Sequence, residues 1–195
     1  MTKRATKKRV ALFGGSFNPP HAAHQLVALY VLETQPVDEL WFLPTFQHVF
    51  GKELAPFADR VAMTKLIAKP LGARAKVSLA EKTLAQQPGF QGSRTYDLLK
   101  LLRKAHPDIA FRWVVGTDIL AETDKWHRWN DVVKMAPLIV VGRGGQMPPD
   151  SSAAGLTMPD VSSTEVRAAL HEKRPLDALL PRSVLRYIAE RRLYR

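Results

Sequence analysis

Apolar positions along this chain alternate between two rhythms. Short unbroken runs, VALF (10–13), ELWFLP (39–44), FRWVVG (111–116) and PLIVVGR (137–143), stop at or beside glycine or proline. Strands buried on both faces of a parallel sheet read this way. AKVSLA (75–80) predicts a shorter strand. Between the runs, apolar residues recur every three or four positions. HQLVALYVLETQ (24–35) carries Leu26, Val27, Tyr30 and Val31 and lacks Gly and Pro; FADRVAMTKLIAKP (57–70) ends at Pro70; TYDLLKLLRKAHP (95–107) carries Leu98, Leu99, Leu101 and Leu102. Each predicts an amphipathic helix. STEVRAALHEK (163–173) opens on a Ser/Thr cap, and SVLRYIAERR (183–192) is the last helix of the series. The alternation predicts an α/β fold, a doubly wound parallel sheet with helices on both faces. No internal repeat interrupts it, and GGQMPPDSSAAG (144–155) reads as a surface loop rather than a domain boundary.

The 195 residues suffice for one well-buried domain. No apolar run reaches the roughly 20 residues of a membrane helix, and no signal-peptide pattern precedes the first strand, so a cytoplasmic setting without a membrane partner is expected. Cysteine is absent, which excludes disulfides, thiolate catalysis and cysteine-ligated zinc. Charge changes the picture more. Of the net +11, five charges come from Lys3, Arg4, Lys7, Lys8 and Arg9, leaving six for the rest. Residues 1–9 therefore read as a basic, disordered tail, and 10–195 as a single domain. The remaining excess suits anionic partners, nucleic acid or nucleotide phosphates. A nucleic-acid partner is disfavoured, because no aromatic-rich RNA-binding strand and no suitable GXXG loop is present.

The strongest chemical signal is GGSFNPPHAAH (14–24), directly after the first strand. Ligands of doubly wound sheets sit outside the carboxyl ends of the strands. Gly14 and Gly15 let backbone amides approach a ligand closely, since no Cβ intervenes. Asn18-Pro19-Pro20 stiffens the entry to the helix, and His21 and His24 share one face of its first turn. Free N–H groups at a helix start attract anions, and two imidazoles add to that pull. Zinc is the other chemistry for paired histidines, but a third ligand is not evident, so no metal site is assigned to the protein. The combination points to phosphate.

These residues resemble the ATP-binding motif of the nucleotidylyltransferase superfamily, whose members carry an (H/T)xxH element after strand one of a Rossmann-like sheet. VSSTEVR (161–167) is similar to the superfamily's second element, Ser-Ser/Thr-x-x-Arg. VVGTDIL (114–120), Trp126, LIVVGR (138–143) and LLPRSVLRYIAERRLY (179–194) follow in an order similar to that of bacterial nicotinate-nucleotide adenylyltransferases. The resemblance spans about residues 10–194. It implies adenylyl transfer from ATP to nicotinate mononucleotide, giving deamido-NAD and pyrophosphate, with Mg²⁺ carried by ATP. His24 would then meet the α-phosphate in the transition state and His21 the neighbouring phosphates. Gly14, Gly15, Ser16 and Phe17 would line the nucleotide path, Ser163, Thr164 and Arg167 would cradle the β- and γ-phosphates, and Arg143 would approach the adenosine. On the acceptor side, Thr95 matches a position near the nicotinate carboxylate, Asp118 can reach a ribose hydroxyl pair, Trp126 can stack on the pyridine ring, and His127 stands where tyrosine is usual.

Several of these have plainer readings. Ser162-Ser163-Thr164 before EVRAAL is also an ordinary capping box, Asp118 and Thr95 are also helix caps, and Trp126 is also a core residue. The chain departs from the family at Ala23, where glycine is usual, and at Asn18, where aspartate is common. PTFQHVFGKELAPF (44–57) lacks the usual Pro-Pro-His-Lys and offers His48 and Lys52 instead. Other acceptors (nicotinamide mononucleotide, phosphopantetheine), a CTP-using cytidylyltransferase, and a nucleotide- or nucleic-acid-binding module without catalysis stay open on sequence. The oligomeric state stays open too, a homo-oligomer included.

Overall fold

A computed structural model describes residues 7–48, 51, 53–143, 157–158, 161–176 and 179–194. Six strands form it: β1 (Lys8–Gly15), β2 (Glu39–Pro44), β3 (Ala75–Val77), β4 (Ile109–Gly116), β5 (Leu138–Arg143) and β6 (Thr157–Met158). All neighbours pair in parallel, in the order β3-β2-β1-β4-β5-β6. This is the strand order of dinucleotide-binding sheets, with its reversal between β1 and β4. The helices are α1 (Ala22–Thr34), α2 (Phe57–Ala68), α3 (Ala80–Ala85), α4 (Thr95–Ala105), α5 (Thr117–Leu120), α6 (Trp129–Met135), α7 (Ser163–His171) and α8 (Arg182–Arg191).

Period-two alternation along the strands divides the core. Val10 and Leu12 of β1, with Phe111, Trp113 and Val115 of β4, face Leu98, Leu99 and Leu102 of α4 and Val132 of α6. Ala11 and Val114 face the other way, onto Ala28, Val31 and Leu32 of α1, Met63 and Ile67 of α2, Val166 of α7, and Val184 and Ile188 of α8. Two apolar layers thus enclose one sheet, as the sequence pattern predicts. Among the described residues no helix is long and apolar enough to cross a membrane.

The expected tail does not extend to residue 9. Strand β1 begins at Lys8, and Lys8 and Arg9 pair with Ile109 and Ala110. Arg9 N donates to Asp38 Oδ2 at 2.7 Å, and Lys8 Nζ lies 2.6 Å from Glu39 Oε1. The basic run hides a strand start because lysine and arginine at a strand end keep their charges in water while the backbone pairs. Residues 1–6 and the loop at 144–155 lie outside the described residues. The short helices α3, α5 and α6 have too few turns to leave a periodic signal in the sequence.

Candidate active site

Strand β1 delivers the glycine turn to the carboxyl edge of the sheet. A Cβ on Gly14 would stand 2.7 and 2.8 Å from Cζ2 and Cη2 of the buried Trp113 ring. The strand therefore passes the indole at a distance only glycine allows. Phe17 follows at φ 46°, left-handed for a bulky residue. Its ring is 1% exposed and packs against Phe13, Phe42 and His24 at centroid distances of 5.8, 5.7 and 4.9 Å. Phe17 thus belongs to the core and, unlike Gly14, Gly15 and Ser16, is not a lining residue of the cleft described below.

Helix α1 then starts at the histidine pair. His21 is the N-cap residue and His24 the third helical position; their rings lie 3.8 Å apart. His21 N donates to His24 Nδ1 at 3.1 Å. An imidazole whose Nδ1 accepts a backbone N–H keeps its ring hydrogen on Nε2, which makes that nitrogen the donor. Both histidines line a cleft of about 480 Å³ at the carboxyl ends of β1, β4 and β5.

The cleft gathers much of what the sequence singles out. Gly14, Gly15, Ser16, His21 and His24 form one wall; Thr95, Asp118 and Trp126 line it from α4 and the segment after β4. His48 lines it too, whereas Lys52 lies outside the described residues. Thr95 is the first helical residue of α4 and Asp118 the second of α5, so neither is the cap residue; those positions belong to Arg94 and Gly116. His127 packs its ring edge-on to Tyr96 at 5.7 Å and is not a lining residue. Arg143 ends β5, but its side chain lies outside the described residues.

Ser163, Thr164 and Arg167 do not line the cleft; Ser163 and Arg167 clasp the turn beside it. Ser163 Oγ donates to Pro19 O at 3.0 Å, and Arg167 Nη1 to Asn18 O at 2.8 Å. Arg167 Nη2 donates to Thr164 Oγ1 at 3.2 Å. Ser162, one residue earlier, caps α7 by accepting from Glu165 N at 3.1 Å. Ser162 is therefore the helix cap, one half of the expected capping box, while Ser163 and Arg167 join α7 to the Asn-Pro-Pro turn.

Sequence reasoning missed Arg60 and Glu81. Arg60 of α2 is 1% exposed and its guanidinium donates to Ser16 O, Thr45 O, Phe46 O and Ala55 O at 2.8, 2.7, 3.3 and 2.9 Å. Burial holds its pKa below the usual guanidinium value, against the opposing pull of Tyr194 and Glu81. Its signal is an arginine in register with Thr64 and Ile67 on the inward stripe of α2. Glu81 lines the cleft, and Oε2 accepts from Phe46 N at 3.4 Å. Burial pushes its carboxyl above the ordinary range, opposed by Ser93, Phe46 N and Arg60. A carboxylate just past the carboxyl end of a strand is the clue that also marks Asp118.

An anion-attracting helix start, paired imidazoles and a cleft at the strand-order reversal define a nucleotide-handling α/β enzyme. Residues 12–169 match the family model described as "Cytidylyltransferase-like". The chain is 49% identical, over 96% of its length and 97% of the relative's, to a protein of Anaeromyxobacter dehalogenans (strain 2CP-1 / ATCC BAA-258) named "Probable nicotinate-nucleotide adenylyltransferase". A relative of the same name in Myxococcus xanthus (strain DK1622) is 39% identical over 95% of this chain and 94% of its own. In fold it is similar to Plasmodium falciparum nicotinic acid mononucleotide adenylyltransferase complexed with NaAD, with a TM-score of 0.80 at 22% identity, covering 96% and 97% of the two chains. The chain belongs to the cytidylyltransferase-like family and, within it, to the nicotinate-nucleotide adenylyltransferases, which are nucleotidyltransferases.

Proposed function

We propose that the protein joins ATP to nicotinate mononucleotide, forming deamido-NAD and releasing pyrophosphate, in a cytoplasmic setting. The observation that carries this reading is the convergence of His21, His24, Thr95, Asp118 and Trp126 on one cleft at the strand-order reversal. A phosphate oxygen of the mononucleotide attacks the α-phosphorus, a new P–O bond forms, and the bond to the β-phosphate oxygen breaks. No covalent enzyme intermediate is needed, so rate comes from positioning and from donors aimed at developing charge. His24 supplies such a donor at the α-phosphate, with His21 beside it and the N–H groups of the glycine turn along the chain of phosphates. The ATP phosphate oxygens are hard ligands that would hold Mg²⁺, which would offset their charge. Among the described residues, Asp118 and Glu81 are the carboxylates that line the cleft.

The acceptor follows from the other wall. Helix α4 begins at Thr95 with no side chain capping it, so its first N–H groups attract a carboxylate there. Trp126 supplies a flat face for the pyridine ring. A carboxamide brings an NH₂ that a wall of donors leaves unpaired, at about 1–3 kcal/mol. Pyrophosphate release, measured for each nucleoside triphosphate against a panel of phosphate acceptors, tests the assignment. Nicotinate mononucleotide should exceed nicotinamide mononucleotide at least roughly 10-fold in kcat/KM, and Trp126→Ala should weaken both alike. Equal kcat/KM for the two acceptors would discard the nicotinate assignment.

A further inference from the structure

Residues 18–21 form a turn with little to hold it locally. Pro19 and Pro20 have no N–H, and the segment lies between β1 and α1 without a sheet partner. Apart from the local bond of His21 N to His24 Nδ1, its polar groups are met from distant parts of the chain. Asn18, 2% exposed, donates through Nδ2 to Glu53 O at 3.3 Å, and its Oδ1 accepts from Ala55 N at 2.9 Å. Ala22 N donates to Leu179 O at 3.0 Å. Tyr194 completes the set: its hydroxyl donates to Asn18 Oδ1 at 2.9 Å across 176 residues.

The chain turns sharply after α8 and brings Tyr194 to that bond. Arg192, at φ 53°, is the left-handed C-cap of α8, closed by the bond from Leu193 N to Ile188 O at 3.1 Å, and Tyr194 beyond it is left-handed as well, at φ 59°. A tyrosine in that region persists only where its surroundings enforce it. Burial also pushes the Tyr194 phenol far above its ordinary range, so it stays a neutral donor. Tyr187, earlier on α8, makes a bond of the same kind to Asp59 Oδ1 at 2.8 Å, but its partner lies on α2 rather than in the turn.

We propose that Tyr194 is a positioning residue for adenylyl transfer, its hydroxyl fixing Asn18 so that the turn presents His21 and His24 to the reacting phosphate. The assignment rests on the function proposed above. Histidines carried on a turn shift with it, and a displacement near 1 Å lowers a rate by about two orders of magnitude. Losing one of the several bonds that hold Asn18 displaces it less.

The test compares Tyr194→Phe with Tyr187→Phe, each missing one hydroxyl from the same region. Tyr194→Phe should lower kcat roughly 5- to 10-fold, with both KM values within about twofold, and should speed amide exchange at His21, Ala22 and His24 in the ligand-free protein. Tyr187→Phe should leave kcat within about twofold and exchange at those amides unchanged. Unchanged kcat in folded Tyr194→Phe, or equal losses in the two variants, overturns the proposal. If the unaltered protein turns over no acceptor, the proposed function fails by itself. Exchange then decides for the turn: faster only in Tyr194→Phe upholds the brace, and unchanged exchange removes it.

Discussion

The sheet buries one carboxylate at each of its ends, and the two are treated in opposite ways. Glu39, at the amino end of β2, meets Lys8 at 2.6 Å, Lys76 at 2.5 Å and Trp41 Nε1 at 2.8 Å. Burial acts to raise its pKa, but the bonds from Lys76, Lys8 and Trp41 outweigh that and hold it at about 2. Glu81, past the carboxyl end of β3, lies in the cleft wall with its carboxyl held above the ordinary range by burial, and Ser93, Phe46 N and Arg60 only partly offset that. The amino end is arranged for stability. The carboxyl end tolerates an unfavourable charge where a ligand is to be bound, the usual relation between a site and the fold that supports it.

The comparison predicts that rate and stability separate between the two ends. The largest effect belongs to His24→Ala, which should reduce kcat on the order of 100-fold, more than it raises the KM for ATP, while the melting temperature holds. Full turnover by the folded variant would put the chemistry elsewhere. At the other end, Glu39→Gln should leave kcat alone and lower stability at neutral pH by about 1 kcal/mol, a modest figure because both lysines are half-exposed. Folded Glu39 releases its proton more readily than the unfolded chain does. Its contribution is therefore complete above 4.5 and is lost as pH falls toward about 2. Melting curves of the two proteins that stay equally far apart across that window would break the contrast.

Glu81→Gln should give the smallest shift, and in the opposite direction. A folded pKa raised above 4.5 means that Glu81 favours the fold when protonated and that this contribution is lost as pH rises. The glutamine, which keeps an acceptor for Phe46 N, should raise the melting temperature by roughly 1–3 °C at neutral pH. The gain should fade below pH 4.5. A loss of stability at neutral pH would mean that Arg60 and Ser93 compensate the carboxylate fully.

What could be read from the sequence follows the range of the interactions involved. The strands, the long helices and the cluster around His21 and His24 are local patterns, and they stand where hydrophobic period and turn chemistry put them. Ser163 and Arg167 were legible as a helix start, but not their grip on Pro19 O and Asn18 O, which spans 144 and 149 residues. The same holds for Arg60: its register with Thr64 and Ile67 marks the inward face of α2, but its four carbonyl partners lie in two loops that the sequence does not bring beside it. Phe17 shows the converse: a residue inside the strongest motif whose ring is spent on packing. Lys8 and Arg9 show that charge conceals a strand start when only the backbone takes part in the pairing.

The bond between Tyr194 and Asn18 also sets an order of events during synthesis. A ribosome adding about 5–20 residues per second needs roughly 9–35 s to travel the 176 positions between them. Throughout that interval the histidine turn has been made but its last support has not. A chain that ends just before Tyr194 keeps the other bonds on Asn18 and lacks this one, so its rate should fall by about the 5- to 10-fold expected of Tyr194→Phe. The last support of the turn is made near the end of synthesis, by a tyrosine that lines no part of the cleft.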